Sequence, residues 1–159
     1  MSGKKIAAIG FAAGVERLML LMEGVVEKKR SIAVNYISEN EKNFDIELSY
    51  ELFGQPLGQA PIVLVNHALT GNSTLVGENG WWNPIIGKEK LIDTEKYSVL
   101  AFNFPGNGYD GVLIENYKDL ILRDIAKVFL IGLDKLNIKS LFAIIGGSIG
   151  GDLYGKWRH

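Results

Sequence analysis

The chain has 159 residues, 47% of them apolar and 22% charged, which is the length and balance of one ordinary globular domain able to bury a core. Its formal charge of -1, from 17 basic and 18 acidic residues, gives no field that would draw in nucleic acid or an anionic membrane. Cysteine is absent, which excludes disulfides, thiolate nucleophiles and cysteine-ligated zinc and fits a reducing cytoplasm, while two histidines, His67 and His159, are too few for a histidine-rich metal site.

The opening stretch, MSGKKIAAIGFAAGV, sets two lysines before a mostly apolar run, as a short secretory leader would. Glu16 and Arg17 interrupt it, no small-x-small cleavage site follows, and the run is too short to span a bilayer. Within it, AIGFAAGVERLMLLME places Gly10 and Gly14 ahead of a Glu-Arg pair. This resembles motif 3 of class II aminoacyl-tRNA synthetases, most closely of the histidyl enzyme, over residues 5–23. The resemblance implies that Arg17 is an ATP-contacting arginine, a role suited to a guanidinium that offers phosphate oxygens several donors. The same residues also read as an ordinary amphipathic helix with Val15, Leu18, Leu21 and Met22 on one apolar face. That reading is preferred for activity, because the other motifs of an ATP site are missing. The charged stretch EGVVEKKRS reads as a connector, which divides the chain into a segment 1–30 and a second unit 31–159.

SIAVNYIS and FDIELSYELFG alternate apolar and polar residues, predicting two half-exposed strands paired antiparallel at a sheet edge. After the turn residues of QPLGQA, PIVLVNHALTG is a continuous apolar run of strand length, as expected of a central strand covered on both faces; it ends in a loop holding His67. Residues 71–90 read as loop, with Trp81 and Trp82 packing at the end of a core rather than lining a ligand pocket. YSVLAFNF is the next buried strand, followed by the turn residues PGNGYDG. YKDLILRDIAKVFLIGLDKLNI predicts a helix of several turns, with Leu120, Asp124 and Val128 along one line, Ile121, Ile125, Phe129 and Leu133 in a longer apolar row, and Asn137 as its stop. KSLFAIIGGSIGG then reads as a strand, a sharp turn and the start of another helix.

From residue 61 the order is strand, loop, strand, helix, strand, helix, which predicts an α/β fold with a mostly parallel sheet and right-handed crossovers behind an antiparallel N-terminal edge pair. Gly146, Gly147, Ser148, Ile149 and Gly150 spell GxSxG, the turn that presents a serine between strand and helix. Together these features describe the N-terminal half of an α/β-hydrolase fold. Four stretches, VNHALTGNS, GWWNPIIG, IDTEKYSVLAFNFPGNGYDG and RDIAKVFLIGLDKLNIKSLFAIIGGSIGG, resemble in order and spacing the homoserine O-acetyltransferases, over residues 44–151.

That resemblance implies Ser148 as the nucleophile that takes an acetyl group from acetyl-CoA and passes it to the hydroxyl of L-homoserine, a step of methionine biosynthesis. Splitting one hard acyl transfer into two through an acyl-serine is physically sound, provided a base removes the serine proton. It implies the backbone N-H groups of Ile149 and Leu69 as the oxyanion donors, and Gly146 and Gly150 as the residues that let strand and helix approach around the turn. Acetyl-CoA enters as a substrate, and no bound cofactor or metal is expected. His67 belongs to the oxyanion loop and shapes its turn instead of serving as base. Asn103, Asn107, Tyr109 and Asp110 follow the carboxyl end of a parallel strand, where ligands tend to bind, and read as turn chemistry.

In the family an aspartate and a histidine that complete the triad lie well beyond the serine, past a helical lid, whereas here eleven residues follow Ser148. Asp152 would sit one helical turn on and His159 about 16 Å along the axis at 1.5 Å per residue, against a hydrogen-bond reach of about 3 Å. The expectation is a fold truncated before the lid, inactive alone, with an open sheet edge offering a route to self-association. Divergence after Gly151 and the synthetase-like front suggest a fused or frameshifted reading frame. Three functions follow: an acyltransferase by ancestry, a non-catalytic fragment associating through its sheet edge, and a nucleotide-binding remnant using Arg17. Acetyl and succinyl donors are not distinguished.

Overall fold

The computed structural model describes residues 29–156. The synthetase-like segment with Arg17, and His159, lie outside the described residues. No helix among the described residues is long and apolar enough to cross a membrane.

Strands β1 (Arg30–Ile37) and β2 (Asn43–Gly54) pair antiparallel, as their alternation predicts. Val34 and Tyr36 of β1 and Phe44, Ile46 and Leu48 of β2 turn inward, while the residues between them face solvent. Next come β3 (Ile62–Asn66), two short strands β4 (Ile86–Gly87) and β5 (Ile92–Asp93), then β6 (Ser98–Phe102) and β7 (Ala143–Gly146). The main sheet runs β1-β2-β6-β3-β7, with β3 parallel to both its neighbours and β2 antiparallel to β6. The fold is thus the expected mostly parallel α/β sheet with an antiparallel edge pair. Among the described residues β7 forms the other end of the sheet.

Two apolar layers explain the apolar runs of β3 and β6. Leu64, Leu100 and Phe102 face one way, against the helix α1 (Leu122–Lys135) through Val128, Phe129 and Leu133, and against Leu153 of α2 (Ile149–Gly155). Val63, Val65, Val99 and Ala101 face the other way and are covered by Leu75, Ile86, Ile92 and Trp82 from the long loop. Residues 71–90 were expected to lack regular structure, but β4 lies among them and pairs in parallel with β5 just beyond them. Two-residue strands are too short to show a period in sequence. Trp82 takes the predicted packing role, and Trp81 stands edge-on to it with ring centres 5.5 Å apart.

The predicted long helix is shorter at its start. Tyr117–Asp119 form a separate 3-10 turn, Leu120 is extended, and α1 begins at Leu122, leaving Ile121 outside it and half-exposed. The cause is Asp124. Its buried carboxylate accepts the N-H of Ile121 at 2.9 Å, the N-H of Glu39 at 3.0 Å and the Tyr36 hydroxyl at 2.7 Å, so it caps the helix and ties it to the β1–β2 turn. Burial, followed by the Asp124 carboxylate, holds the Tyr36 phenol well above its ordinary range. At the far end Asn137 stops the helix as expected, with φ of 58°. Its N-H bonds Asp134 O at 2.8 Å while that of Ile138 bonds Leu133 O at 2.9 Å, the paired bonds of a Schellman stop.

Replacing Asp124 by Ala strands three donors at once, two of them in or near the core. Urea denaturation should show a loss of about 2–4 kcal/mol, with much of it recovered in Asp124→Asn, which keeps an acceptor oxygen.

Candidate active site

Strands β3 and β7 run parallel with Asn66 opposite Gly146, so the loop after β3 and the turn after β7 leave the sheet side by side. The chain leaves β3 on its way to β6, on one side, and β7 lies on the other, which makes this carboxyl end a crevice between diverging connections. Ser148 stands exposed at the tip of the turn with φ of 55°, left-handed geometry that costs a non-glycine residue about 1–3 kcal/mol.

Two glycines make that turn sterically feasible. A Cβ on Gly146 would lie 2.3 Å from the Gly150 carbonyl oxygen, and one on Gly150 would lie 2.4 Å from Asn66 O and 2.6 Å from His67 O. The geometry has the close approach of strand and helix expected at Gly146, and it adds that Gly150 presses against the end of β3. Helix α2 starts directly after the serine, whose carbonyl accepts the N-H of Gly151 at 2.9 Å and of Asp152 at 3.3 Å. As first residue of that helix, Ile149 has an N-H with no carbonyl a turn earlier to bond.

The loop after β3 is held through one carbonyl. Ala68 O accepts the N-H of Gly71 at 2.8 Å and lies 2.7 Å from Nδ1 of His67. Since Nε2 of His67 accepts the N-H of Phe104 at 3.2 Å, the ring proton is assigned to Nδ1, which donates to Ala68 O. The ring is buried edge-on against Phe104, and burial lowers its pKa from 6.5, keeping it neutral. The carbonyl and N-H of one trans peptide point in opposite directions, so pinning Ala68 O sets the direction of the Leu69 N-H. Both ring nitrogens of His67 are occupied. It is a brace for the loop, and it is not placed to take a proton from Ser148.

Leu69 is 63% exposed, and its side chain and that of Ile149 border one cleft of about 400 Å³ with Phe104, Pro105, Tyr117 and Leu120. A larger hollow, about 720 Å³, lies by Ile62 and Phe142 at the amino ends of the strands, at the wrong end of the sheet for Ser148. The loop after β6 shows the expected turn chemistry and does more than turn. Asn103 and Asn107 exchange side-chain amide bonds at 2.8 and 3.1 Å, and Asn103 Oδ1 also accepts the N-H of Ser73 at 3.3 Å. Asp110 accepts the Ser49 hydroxyl and the N-H of Val112.

Lys29 and Glu51 were not singled out from sequence. The Glu51 carboxylate accepts the hydroxyls of Ser73 and Thr74, each at 2.8 Å, and pairs with Lys29, fastening the chain just beyond the loop. A lone charge in an alternating strand reads as a solvated position, so the sequence carried no signal for this cluster. Among the described residues Asp152 is exposed one turn along α2, and no group of three or more His, Cys, Asp and Glu could hold a metal.

Comparison with known proteins agrees with this geometry. The family model for the alpha/beta hydrolase fold matches residues 61–154. The homoserine O-acetyltransferase of Geotalea uraniireducens is 35% identical over a 132-residue alignment that covers 70% of this chain and 36% of that protein. That of Haloarcula marismortui is 33% identical, over 79% of this chain and 38% of its own length. The chain therefore spans less than half the length of the curated relatives it matches. Among solved structures, homoserine O-acetyltransferase from Staphylococcus aureus superposes with a TM-score of 0.67 at 29% identity, over 78% of this chain and 40% of that one. The enzyme from Bacillus anthracis gives a TM-score of 0.67 at 24% identity, over 82% and 42%, a likeness of fold.

Two measurements check the local argument. Gly150→Ala forces a methyl into two carbonyl oxygens and should cost about 1–3 kcal/mol or more in urea unfolding. For His67, the folded pKa lies below the unfolded value of 6.5, so the unfolded state binds the extra proton first as pH falls. Stability should be fully present above that pH and decline below it, and this part of the decline should vanish in His67→Gln.

Proposed function

The chain belongs to the alpha/beta hydrolase fold family, and from that premise we propose that it carries the nucleophile and oxyanion donors of an acyl transfer. The observation that carries the reading is Ser148 in left-handed geometry at the strand-to-helix turn, beside a loop whose Leu69 N-H is held in a fixed direction. The similarity to homoserine O-acetyltransferases supports acetyl-CoA as donor and L-homoserine as acceptor, both small cytoplasmic metabolites.

In the first half-reaction Ser148 Oγ attacks the thioester carbonyl. The C-O bond forms, the carbonyl oxygen takes the negative charge, and the N-H groups of Leu69 and Ile149 receive it; removing one such donor typically costs about 3–4 kcal/mol of transition-state stabilisation. Collapse breaks the C-S bond and releases the thiolate. In the second half-reaction the homoserine hydroxyl attacks the acyl-serine. Both steps need a base for the hydroxyl proton, and His67, the one histidine among the described residues, is committed elsewhere. We therefore place the base outside the described residues and expect no sustained turnover from residues 29–156 alone.

A second reading rests on β7, which ends the sheet among the described residues and is preceded by Phe142 at 65% exposure. It is a non-catalytic role in which another strand adds to that edge.

Incubation of the chain with acetyl-CoA, followed by peptide mass spectrometry, separates the two. The acyl-transfer reading expects an acetyl group on Ser148 that is absent in Ser148→Ala. No adduct on Ser148 overturns it and leaves the edge-association reading to be tested by sedimentation. Steady O-acetylhomoserine formation after adding L-homoserine would show instead that the base is present.

A further inference from the structure

We infer that Tyr109 is a positioning residue for the Leu69 oxyanion donor, acting through two consecutive hydrogen-bonded peptide groups; the catalytic consequence rests on the acyl-transfer reading above. The Tyr109 hydroxyl donates to the carbonyl of Thr70 at 3.1 Å. The same peptide group carries the N-H of Gly71, which donates to the carbonyl of Ala68 at 2.8 Å. That peptide group in turn carries the N-H of Leu69. The sequence of contacts is therefore phenol to amide to amide, ending at the oxyanion position.

Such a chain does more than hold a shape. An amide whose oxygen accepts a hydrogen bond shifts electron density toward that oxygen and becomes a better N-H donor, and successive bonds strengthen one another. The phenol thus aligns the Leu69 N-H and raises its donor strength. The loop that carries the phenol is itself tied down. Asn107 Oδ1 accepts the N-H of Tyr109 at 3.1 Å, and its Nδ2 reaches the next carbonyl of the same turn, Gly71 O, at 3.4 Å. His67 pins Ala68 O from the other side, but it is fully buried and its loss would disturb the core. Tyr109 is 37% exposed, so its hydroxyl can be removed without opening a buried cavity.

The test uses the whole chain in three forms: unchanged, Tyr109→Phe, and with a fluorotyrosine at 109, whose ring substitution makes the phenol a stronger donor. Each is acylated with p-nitrophenyl acetate in a single turnover read by mass at Ser148, and the amide proton shifts of Gly71 and Leu69 are recorded. The Phe form should acylate about three- to tenfold more slowly. Both amide protons should move upfield in it. The fluorotyrosine form should shift both observables the opposite way, a graded response that a merely structural tyrosine would not give. Rates or shifts that do not follow the donor strength of residue 109 overturn the inference. If Ser148 is unreactive in the unchanged chain, the acyl-transfer reading fails and the rate claim with it, while the amide shifts still decide whether the relay exists.

Discussion

Everything at the carboxyl end of this sheet depends on one close approach, that of Gly150 to the carbonyl oxygens of Asn66 and His67. Those oxygens would stand 2.4 and 2.6 Å from any Cβ at that position, so a bare backbone is the only surface that fits. The contact brings the start of α2 against the end of β3, and the Asn66 side chain reinforces it by donating to Gly150 O at 3.3 Å. Because β3 and β7 are already in register through Asn66 and Gly146, the turn between β7 and α2 has no slack. A serine in left-handed geometry is what remains between two fixed ends. The strain at Ser148 is thus imposed by packing on both sides and offset by the burial of the strands that impose it.

The same constraint decides what His67 does. Its carbonyl is one of the oxygens facing Gly150, its ring lies under Phe104, and its two nitrogens bridge the loop after β6 to the loop after β3. A residue bound at backbone and side chain alike cannot swing toward Ser148. Burial keeps the ring neutral, so Nε2 stays an acceptor for the Phe104 N-H while Nδ1 donates to Ala68 O and holds the direction of the Ala68–Leu69 peptide. The loop after β6 completes the frame by meeting the same turn at Thr70, Gly71 and Ser73. Two segments distant in sequence, the start of α2 and the loop after β6, therefore converge on the chain at 67–73.

Much of this was legible before any coordinates, and the reasons are local. GxSxG specifies its own turn because only glycine tolerates the approach at positions 146 and 150, and the apolar runs of β3 and β6 announce strands covered on both faces. Asn137 was a readable helix stop because asparagine tolerates the left-handed conformation that a Schellman ending needs. The start of α1 was not readable. Leu120 and Ile121 fit the apolar period, and the carboxylate that ends the helix before them draws two of its three partners, Tyr36 and Glu39, from the β1–β2 region. Lys29 and Glu51 escaped for the same reason, since their value lies in hydroxyls more than twenty residues away along the chain. Sequence periodicity reports what a residue does for its own element, and these side chains act for another.

The division between what is local and what is not bears on the chemistry. The proposed oxyanion donors are backbone groups, and both come from turns whose geometry is fixed by glycines, by a neutral buried histidine and by strand register. A base must be a titratable side chain with a free lone pair at the serine, and His67, the one histidine among the described residues, has both ring nitrogens engaged. For the proposed reaction the two half-reactions then differ in what they require. A thiolate departs without a proton, so acylation from a thioester asks only that Ser148 lose its own proton as the carbonyl oxygen settles between two N-H donors. In the second half-reaction the homoserine hydroxyl must lose its proton in the same way, and the departing serine oxygen must be given one. Under that proposal a site whose proton acceptor lies outside the described residues is better suited to receiving an acyl group than to passing it on.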